Sequence, residues 1–249
     1  MKVFITGITG TLGVAFTELL KDQHEVSGVD RNEQGVARFQ HQYPEVPVKL
    51  GDFSEHLPKD AGVVIHLAAM KHIDLCEQNP NECVTNNVVK TQSLFKQAYE
   101  QNTGILFMST DKAVEPVCMY GYSKALAEGM ALEYGGSVVR SGNIAMSNGS
   151  VMQIWDEAAR NIQPIKVTHK DMRRFFITPE NLATRAWYRY LNGGQIITPE
   201  MDRDVMLLDL LKEALEKHGY TPENYPGGIT YTGLRPGEKL VEKLRWDNE

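Results

Sequence analysis

Residues 2–13 read Lys2-Val-Phe-Ile-Thr-Gly7-Ile-Thr-Gly10-Thr-Leu-Gly13, and their reading decides the fold. An apolar, β-branched run leads straight into three glycines, and an amphipathic stretch follows. Glycine lets a backbone turn tightly, approach a pyrophosphate and pack helix against strand. The helix that opens there offers free N–H groups and the positive end of its dipole to an anion. At the first strand–helix junction of a chain this predicts a dinucleotide site. Gly7, Thr9, Gly10, Thr11, Leu12 and Gly13 would surround the phosphates.

Outward from this loop, short apolar runs at 3–6, 25–29, 46–50, 63–67, 105–108 and 138–140 read as strands. Most are nearly continuous in apolar character, as strands covered on both faces should be. Helical stretches lie between them, clearest at 12–21, 83–99 and 120–134. The alternation predicts an α/β fold, a Rossmann-type doubly wound parallel sheet. After about residue 141 the pattern changes to helical stretches at 151–161, 179–191 and 203–218, with a short segment at 165–167 and a Pro/Gly-rich loop at 225–228. This predicts a small C-terminal substrate lobe. The expected division is a single compact unit, with residues 1 to about 142 as NAD(P)-binding core and about 143 to 249 mostly as substrate-binding lobe.

The bulk properties narrow the function classes. The chain has 249 residues, 42% hydrophobic and 23% charged, ordinary usage for a globular protein. A net charge of −6 gives no support to a nucleic-acid partner, which would want a basic face. Cys76, Cys83 and Cys118 are odd in number and show neither a CxxC pair nor a histidine at zinc spacing. They read as reduced thiols with no metal role, and the other histidines as structural or solvent-facing. No run approaches the roughly 20 apolar residues that span a bilayer, and the segment before Gly7 is too short for a signal sequence. The expectation is a cytoplasmic protein without a membrane partner.

The second run ends at Asp30, 17 residues beyond Gly13, where an acid can bond both ribose hydroxyls of NAD. Arg31 follows and could instead hold the 2′-phosphate of NADP. A carboxylate repels that phosphate, so Asp30 tilts the expectation towards NAD. The third run ends at Gly51-Asp52-Phe53, where Asp52 either caps adenine or N-caps the next turn. The fourth ends at Leu67-Ala68-Ala69, at the strand termini where open sheets hold ligands.

Tyr120 and Lys124 are four residues apart, one above the other on a helix face. A neighbouring ammonium favours the phenolate of a tyrosine, which suits proton transfer at a hydroxyl while hydride moves to a nicotinamide. The preceding strand ends at Ser109-Thr110, whose hydroxyls could bond the same substrate oxygen. The adjacent Asp111 and Lys112 read, from residues alone, as a surface ion pair on a turn.

These segments together resemble the extended short-chain dehydrogenase/reductase superfamily. Within it, Ser109-Thr-Asp-Lys-Ala-Val-Glu-Pro116 and Met119-Tyr-Gly-Tyr-Ser-Lys124 are similar to the UDP-N-acetylglucosamine 4,6-dehydratase branch of polysaccharide biosynthesis. Ala68-Ala-Met-Lys71-His72, Met172-Arg-Arg-Phe-Phe-Ile177 and Gly233-Leu-Arg-Pro-Gly-Glu-Lys239 agree with it. The resemblance implies a lyase: oxidation at C4 by Thr110, Tyr120 and Lys124, elimination of water across C5–C6 by Lys112 as base and Asp111 as acid, and hydride return to C6. NAD or NADP would stay tightly bound and be recycled. Lys71 would touch both cofactor and substrate, with Asn143, Arg174, Arg235 and Glu238 on the UDP-sugar. A homodimer or higher oligomer would form through the helices at 83–99 and 120–134. The sequence departs from the branch at Cys118, where asparagine is usual, at Asp30-Arg31, and in how soon it stops after Leu244. Competing readings are a UDP-sugar C4 epimerase or reductase, and a catalytically idle NAD(P)-binding module.

Overall fold

Strand β1 (Lys2–Thr6) enters the glycine loop and is continued by helix α1 (Thr11–Leu20). The computed structural model describes residues 1–147 and 149–246. The alternation continues through β2 (Glu25–Asp30), α2 (Glu33–Gln42), β3 (Val48–Leu50) and β4 (Val63–His66). Two short helices, α3 (Ile73–Gln78) and α4 (Pro80–Val84), lead through a wide π turn over Thr85–Val89 into α5 (Lys90–Glu100). Strand β5 (Gly104–Thr110), helix α6 (Met119–Glu133) and β6 (Ser137–Ser141) complete the first half.

The principal sheet has seven parallel strands, in which β3, β2, β1, β4, β5 and β6 are neighbours in that order. Chain direction reverses its progress across the sheet between β1 and β4, and open α/β sheets bind ligands at such a crevice. This is the Rossmann-type arrangement expected from the alternating runs. One face buries Ile5, Ile65, Leu106 and Val139 under α1, and the other buries Phe4, Val64 and Phe107 under α5, which contributes Phe95, and α6.

The second half begins with β7 (Asn143–Ile144), α7 (Val151–Arg160), β8 (Ile165–Val167) and β9 (Arg173–Ile177). Helix α8 (Pro179–Leu191) returns to pack Leu182, Ala183, Ala186 and Trp187 into the α1 face, and β10 (Ile196–Ile197) pairs with β6 as the sheet's seventh strand. The lobe proper then finishes with β11 (Arg203–Met206), α9 (Leu207–Glu216) and β12 (Ile229–Tyr231). It holds a three-stranded sheet, β11-β9-β7, a two-stranded pair, β12-β8, and a core around Trp155, Met172, Phe176 and Leu211.

The helix expected over 203–218 is corrected at its start. Arg203–Met206 is a strand paired antiparallel with Arg173–Phe176, and Met206 keeps an extended backbone at the helix N-cap. Backbone pairing with β9 outweighs the local helical pattern there, since tertiary context overrides weak propensity. No helix among the described residues is long and apolar enough to cross a membrane.

Candidate functional site

A continuous cleft of about 1260 Å³ runs from the glycine loop, across the C-terminal ends of the strands, into the lobe. Ligand pockets commonly hold roughly 300–1,000 Å³, so this one has room for a cofactor and a substrate end to end. At its first end Gly7 adopts φ +69, and a Cβ there would stand 3.1 Å from the Ala68 amide nitrogen. Gly13 lies still closer to its neighbours: a Cβ would stand 2.3 Å from the Ile8 carbonyl oxygen. Helix α1 starts at Gly10 with no side-chain cap, so its first-turn amides face the cleft. This glycine-lined, uncapped helix start fits the pyrophosphate of a dinucleotide.

Thr9, Thr11, Leu12, Asp30, Arg31, Phe53, Leu67, Ala68, Ala69 and Lys71 line the same part of the cleft. The Asp30 carboxylate accepts from the Thr9 amide at 3.2 Å, the Thr9 hydroxyl at 2.8 Å and the Asn32 amide at 3.0 Å, which fixes it at the end of β2. Arg38, not singled out from the sequence, lines the cleft near Arg31. Burial lowers the Lys71 ammonium below the usual lysine range. Asp52 is not on the cleft wall. Its carboxylate caps the turn at Ser54 (3.1 Å to the amide, 2.8 Å to the hydroxyl) and pairs with Lys90 at 2.5 Å. Burial resists its ionisation, but these hydrogen bonds and the Lys90 charge win and hold it at about 2.

Thr110, Lys112, Tyr120 and Lys124 meet in the middle of the cleft. Cys118 caps α6 with its sulfur, which accepts the Gly121 amide at 3.3 Å, so the departure at this position keeps a capping acceptor. The electrostatics differ from the sequence expectation. Burial raises the Tyr120 hydroxyl above its usual range and the Asp111 charge adds to this, while a hydrogen bond with Thr110 opposes it. Lys124 donates to the Met108 carbonyl at 2.6 Å and lies 4.0 Å over the Phe107 ring. Burial pushes it down to about 7, against the pull of Glu128. The two groups expected to stabilise a phenolate are therefore both biased towards their neutral forms by the loss of water.

Ser109 is also turned to another use. Its hydroxyl donates to Glu128 at 2.5 Å, and Arg140 grips the same carboxylate at 2.8–3.0 Å. This buried network ties β5, α6 and β6 together behind the catalytic surface. The π turn adds Asn87, whose side chain bonds both the amide and the carbonyl of Met70 at 2.8 Å and reaches Ser123 at 3.1 Å. It holds the end of β4 against α6. His66 is buried beneath, between Thr6 at 2.7 Å and Thr91 at 3.0 Å, and burial keeps it neutral, with Lys124 contributing.

The Asp111–Lys112 pair is not the surface pair that the residues alone suggested. Lys112 donates to Asp111 at 2.9 Å, with side-chain exposures of 15% and 0%. Thr110 also donates to Asp111, at 3.0 Å. Lys112 is on the cleft wall, whereas Asp111 lies beneath it. Glu242, which the sequence reading missed, is buried on the far side of Lys112 at 3.8 Å.

At the lobe end, Asn143, Arg174, Arg235 and Glu238 line the cleft. Arg235 pairs with Asp74 at 2.7 Å and Glu238 at 2.6 Å, and remains half exposed. Arg174 is buried and donates to the carbonyls of Arg173, Lys239 and Leu240 at 2.7–3.1 Å. Most of its donors thus hold the C-terminal segment in place.

Known proteins agree with this geometry. A family model described as polysaccharide biosynthesis protein matches residues 3–249. An uncharacterized membrane protein of Methanocaldococcus jannaschii is 34% identical, over 99% of this chain and 81% of that protein. The probable polysaccharide biosynthesis protein EpsC of Bacillus subtilis is 38% identical over 75% of this chain, but the matched part is only 32% of EpsC. UDP-N-acetylglucosamine 4,6-dehydratase (inverting) of Campylobacter jejuni is 28% identical over 97% of this chain and 76% of that enzyme, and a UDP-glucose 4-epimerase of Rickettsia rickettsii matches at the same identity. Among solved structures, the X-ray structure of Pen from Bacillus thuringiensis superposes with a TM-score of 0.89 at 28% identity, covering 100% of this chain and 84% of that one.

Proposed function

The chain belongs to the polysaccharide biosynthesis protein family, and from that premise we propose that it is an NAD(P)-dependent sugar-nucleotide 4,6-dehydratase acting on UDP-N-acetylglucosamine. The observation that carries this reading is the Asp111–Lys112 pair, sunk into the cleft beside Thr110, Tyr120 and Lys124. Oxidation at C4 needs only the last three residues, and a second proton-transfer pair has no task in a simple C4 oxidation. The nicotinamide cofactor, when bound, accepts hydride from C4 and later returns it to C6.

In this reading Tyr120, bonded to Thr110, takes the C4 hydroxyl proton as a phenolate, a form that its burial opposes and the Thr110 hydrogen bond favours. The resulting ketone acidifies the C5 proton, which Lys112 removes from the cleft wall. The electron pair forms the C5–C6 double bond as the C6–O bond breaks. Asp111 supplies the proton that lets the hydroxyl leave as water, over the Thr110 hydroxyl that bridges it to the cleft. Lys112 then returns a proton to C5. Lys71, Asn143, Arg174, Arg235 and Glu238 form the substrate end, and Asp30 at the ribose end favours NAD over NADP.

Incubating the protein with NAD and UDP-N-acetylglucosamine should give a 4-keto-6-deoxy sugar visible by NMR; an unchanged sugar overturns the reading. A second reading, C4 epimerisation, is favoured by the similarity to UDP-glucose 4-epimerases. Lys112→Ala discriminates between them. It should abolish dehydration while C4 oxidation persists, whereas an epimerase would lose little.

A further inference from the structure

Residues 235–243 lie as a strap along the loop that carries Asp111 and Lys112. Val241 bridges to Arg173, Lys239 donates to the Val114 carbonyl at 2.6 Å, and Lys243 pairs with Glu115 at 2.7 Å. Glu115 has φ +47, a left-handed conformation that a non-glycine residue keeps only where its surroundings hold it. Gly237 passes so close to Cys118 that an added Cβ would stand 2.7 Å from the Cys118 Cβ.

The strap carries one carboxylate inward. Glu242 has a side-chain exposure of 2% and stands among three cations: Lys239 at 3.4 Å, Lys112 at 3.8 Å and Arg174 at 3.9 Å. Among the described residues its Oε2 has no hydrogen-bond partner, and neither has Oδ2 of Asp111. Burying a carboxylate is costly unless nearby charge compensates, so its place beside Lys112 needs a reason. Glu242 is absent from the cleft wall and meets it only through Lys112 and Arg174, and Arg174 is already held by the carbonyls of Arg173, Lys239 and Leu240.

We propose that Glu242 is a positioning residue for Lys112, the counter-ion that holds its ammonium through the elimination step. This rests on the dehydratase reading above. Before elimination, the proton that the pair shares must sit on Asp111, because Asp111 has to deliver it to the departing hydroxyl. Lys112 is then a neutral amine and Asp111 a neutral acid, so Asp111 cannot balance the charge that forms as Lys112 takes the C5 proton. The Glu242 carboxyl, 3.8 Å from the Lys112 nitrogen, faces that charge. When water has left, Asp111 is a carboxylate again, and Lys112 stands as a cation between two anions, the arrangement seen in the structure. The charged and titratable groups around this centre are Asp111, Glu242 and Cys118 facing Lys112, Lys239 and Arg174 facing Glu242, and Tyr120 facing Asp111.

The test compares the full-length protein with Glu242→Gln, Glu242→Asp and Lys243→Ala. Glu242→Gln keeps the shape and removes the charge. Its turnover to the 4-keto-6-deoxy product should fall about a hundredfold, the size expected when one preorganised charge at a developing ion is lost, with KM for UDP-N-acetylglucosamine unchanged. C4 oxidation should continue, so the near-ultraviolet absorbance of reduced nicotinamide should build up in this variant and not in the wild type. Glu242→Asp should recover most of the rate. Lys243→Ala, which loosens the strap without touching the charge at Lys112, should show no such build-up. Equal product turnover in Glu242→Gln and the wild type, or a loss reproduced in full by Lys243→Ala, overturns the proposal. If the wild type itself leaves UDP-N-acetylglucosamine unchanged, the dehydratase reading fails, and the role given to Glu242 fails with it.

Discussion

Lys124 gives up most of its hydration when α6 packs on β5, and Glu128, on the same helix, returns only part of the loss. Its folded value of about 7 lies below the ordinary lysine value of 10.5. Between those limits the unfolded chain binds one proton more than the folded chain, so the stability contributed by this site rises as pH climbs from about 7 and is lowest below it. The melting temperature of Lys124→Met should therefore rise less across that interval than that of the wild type; parallel curves would show that Lys124 is charged throughout. The same residue shows what spacing can and cannot convey. Four-residue spacing places Tyr120 and Lys124 on one face, and the sequence displays that openly. It does not display Phe107 and Met108, which desolvate the ammonium from β5, nor Arg140 of β6, which holds Glu128. Glu242 was hidden for the same reason, since it lies 130 positions from Lys112 and precedes a lysine in a stretch that looks like any charged surface turn.

At the scale of elements, the junction between β1 and α1 is the most constrained. A methyl group on Gly13 would need to displace the carbonyls of Ile8 and Gly7, both backbone, so no side chain can move aside. Gly13→Ala should cost about 1–3 kcal/mol of stability, as overpacking does, and weaken NAD binding by about tenfold or more in a fluorescence titration. Unchanged affinity would mean that the loop does not hold the pyrophosphate. This junction was legible because its chemistry is local: strand, glycines and helix are contiguous in the chain. The strand Arg203–Met206 was not, because its reason for being extended is β9, about thirty residues earlier. The π turn at Thr85–Val89 was equally hidden. The residues at 83–99 read as one continuous helix, and what widens the turn, Asn87 bonding the Met70 backbone, lies in another segment.

For the whole molecule, α5 and α6 pack side by side against the sheet and still expose apolar groups. Tyr99 and Leu126 are 62% and 60% exposed, Tyr122 adds to α6, and Val89 is exposed at the end of the π turn that leads into α5. Exposed apolar groups gathered on neighbouring helices suit a contact between two copies of the chain, the dimer that the resemblance implied. Leu126→Glu should shift sedimentation from dimer to monomer and leave the fold intact; an unchanged profile would place the contact elsewhere. The sheet and the cleft were foreseeable as a whole, whereas the way α8 and β10 re-enter the first layer from the second half was not, because periodicity carries no information about which layer a helix joins.

The strap has a consequence in time as well as in space. Every strand of the principal sheet is already made when residue 197 has been synthesised, so the surface proposed to oxidise C4 can assemble before residues 235–243 leave the ribosome. The loop of Asp111 and Lys112 has to wait for them. In the proposed mechanism, a nascent chain that has not yet released this strap would hold a cofactor while still lacking the support for elimination.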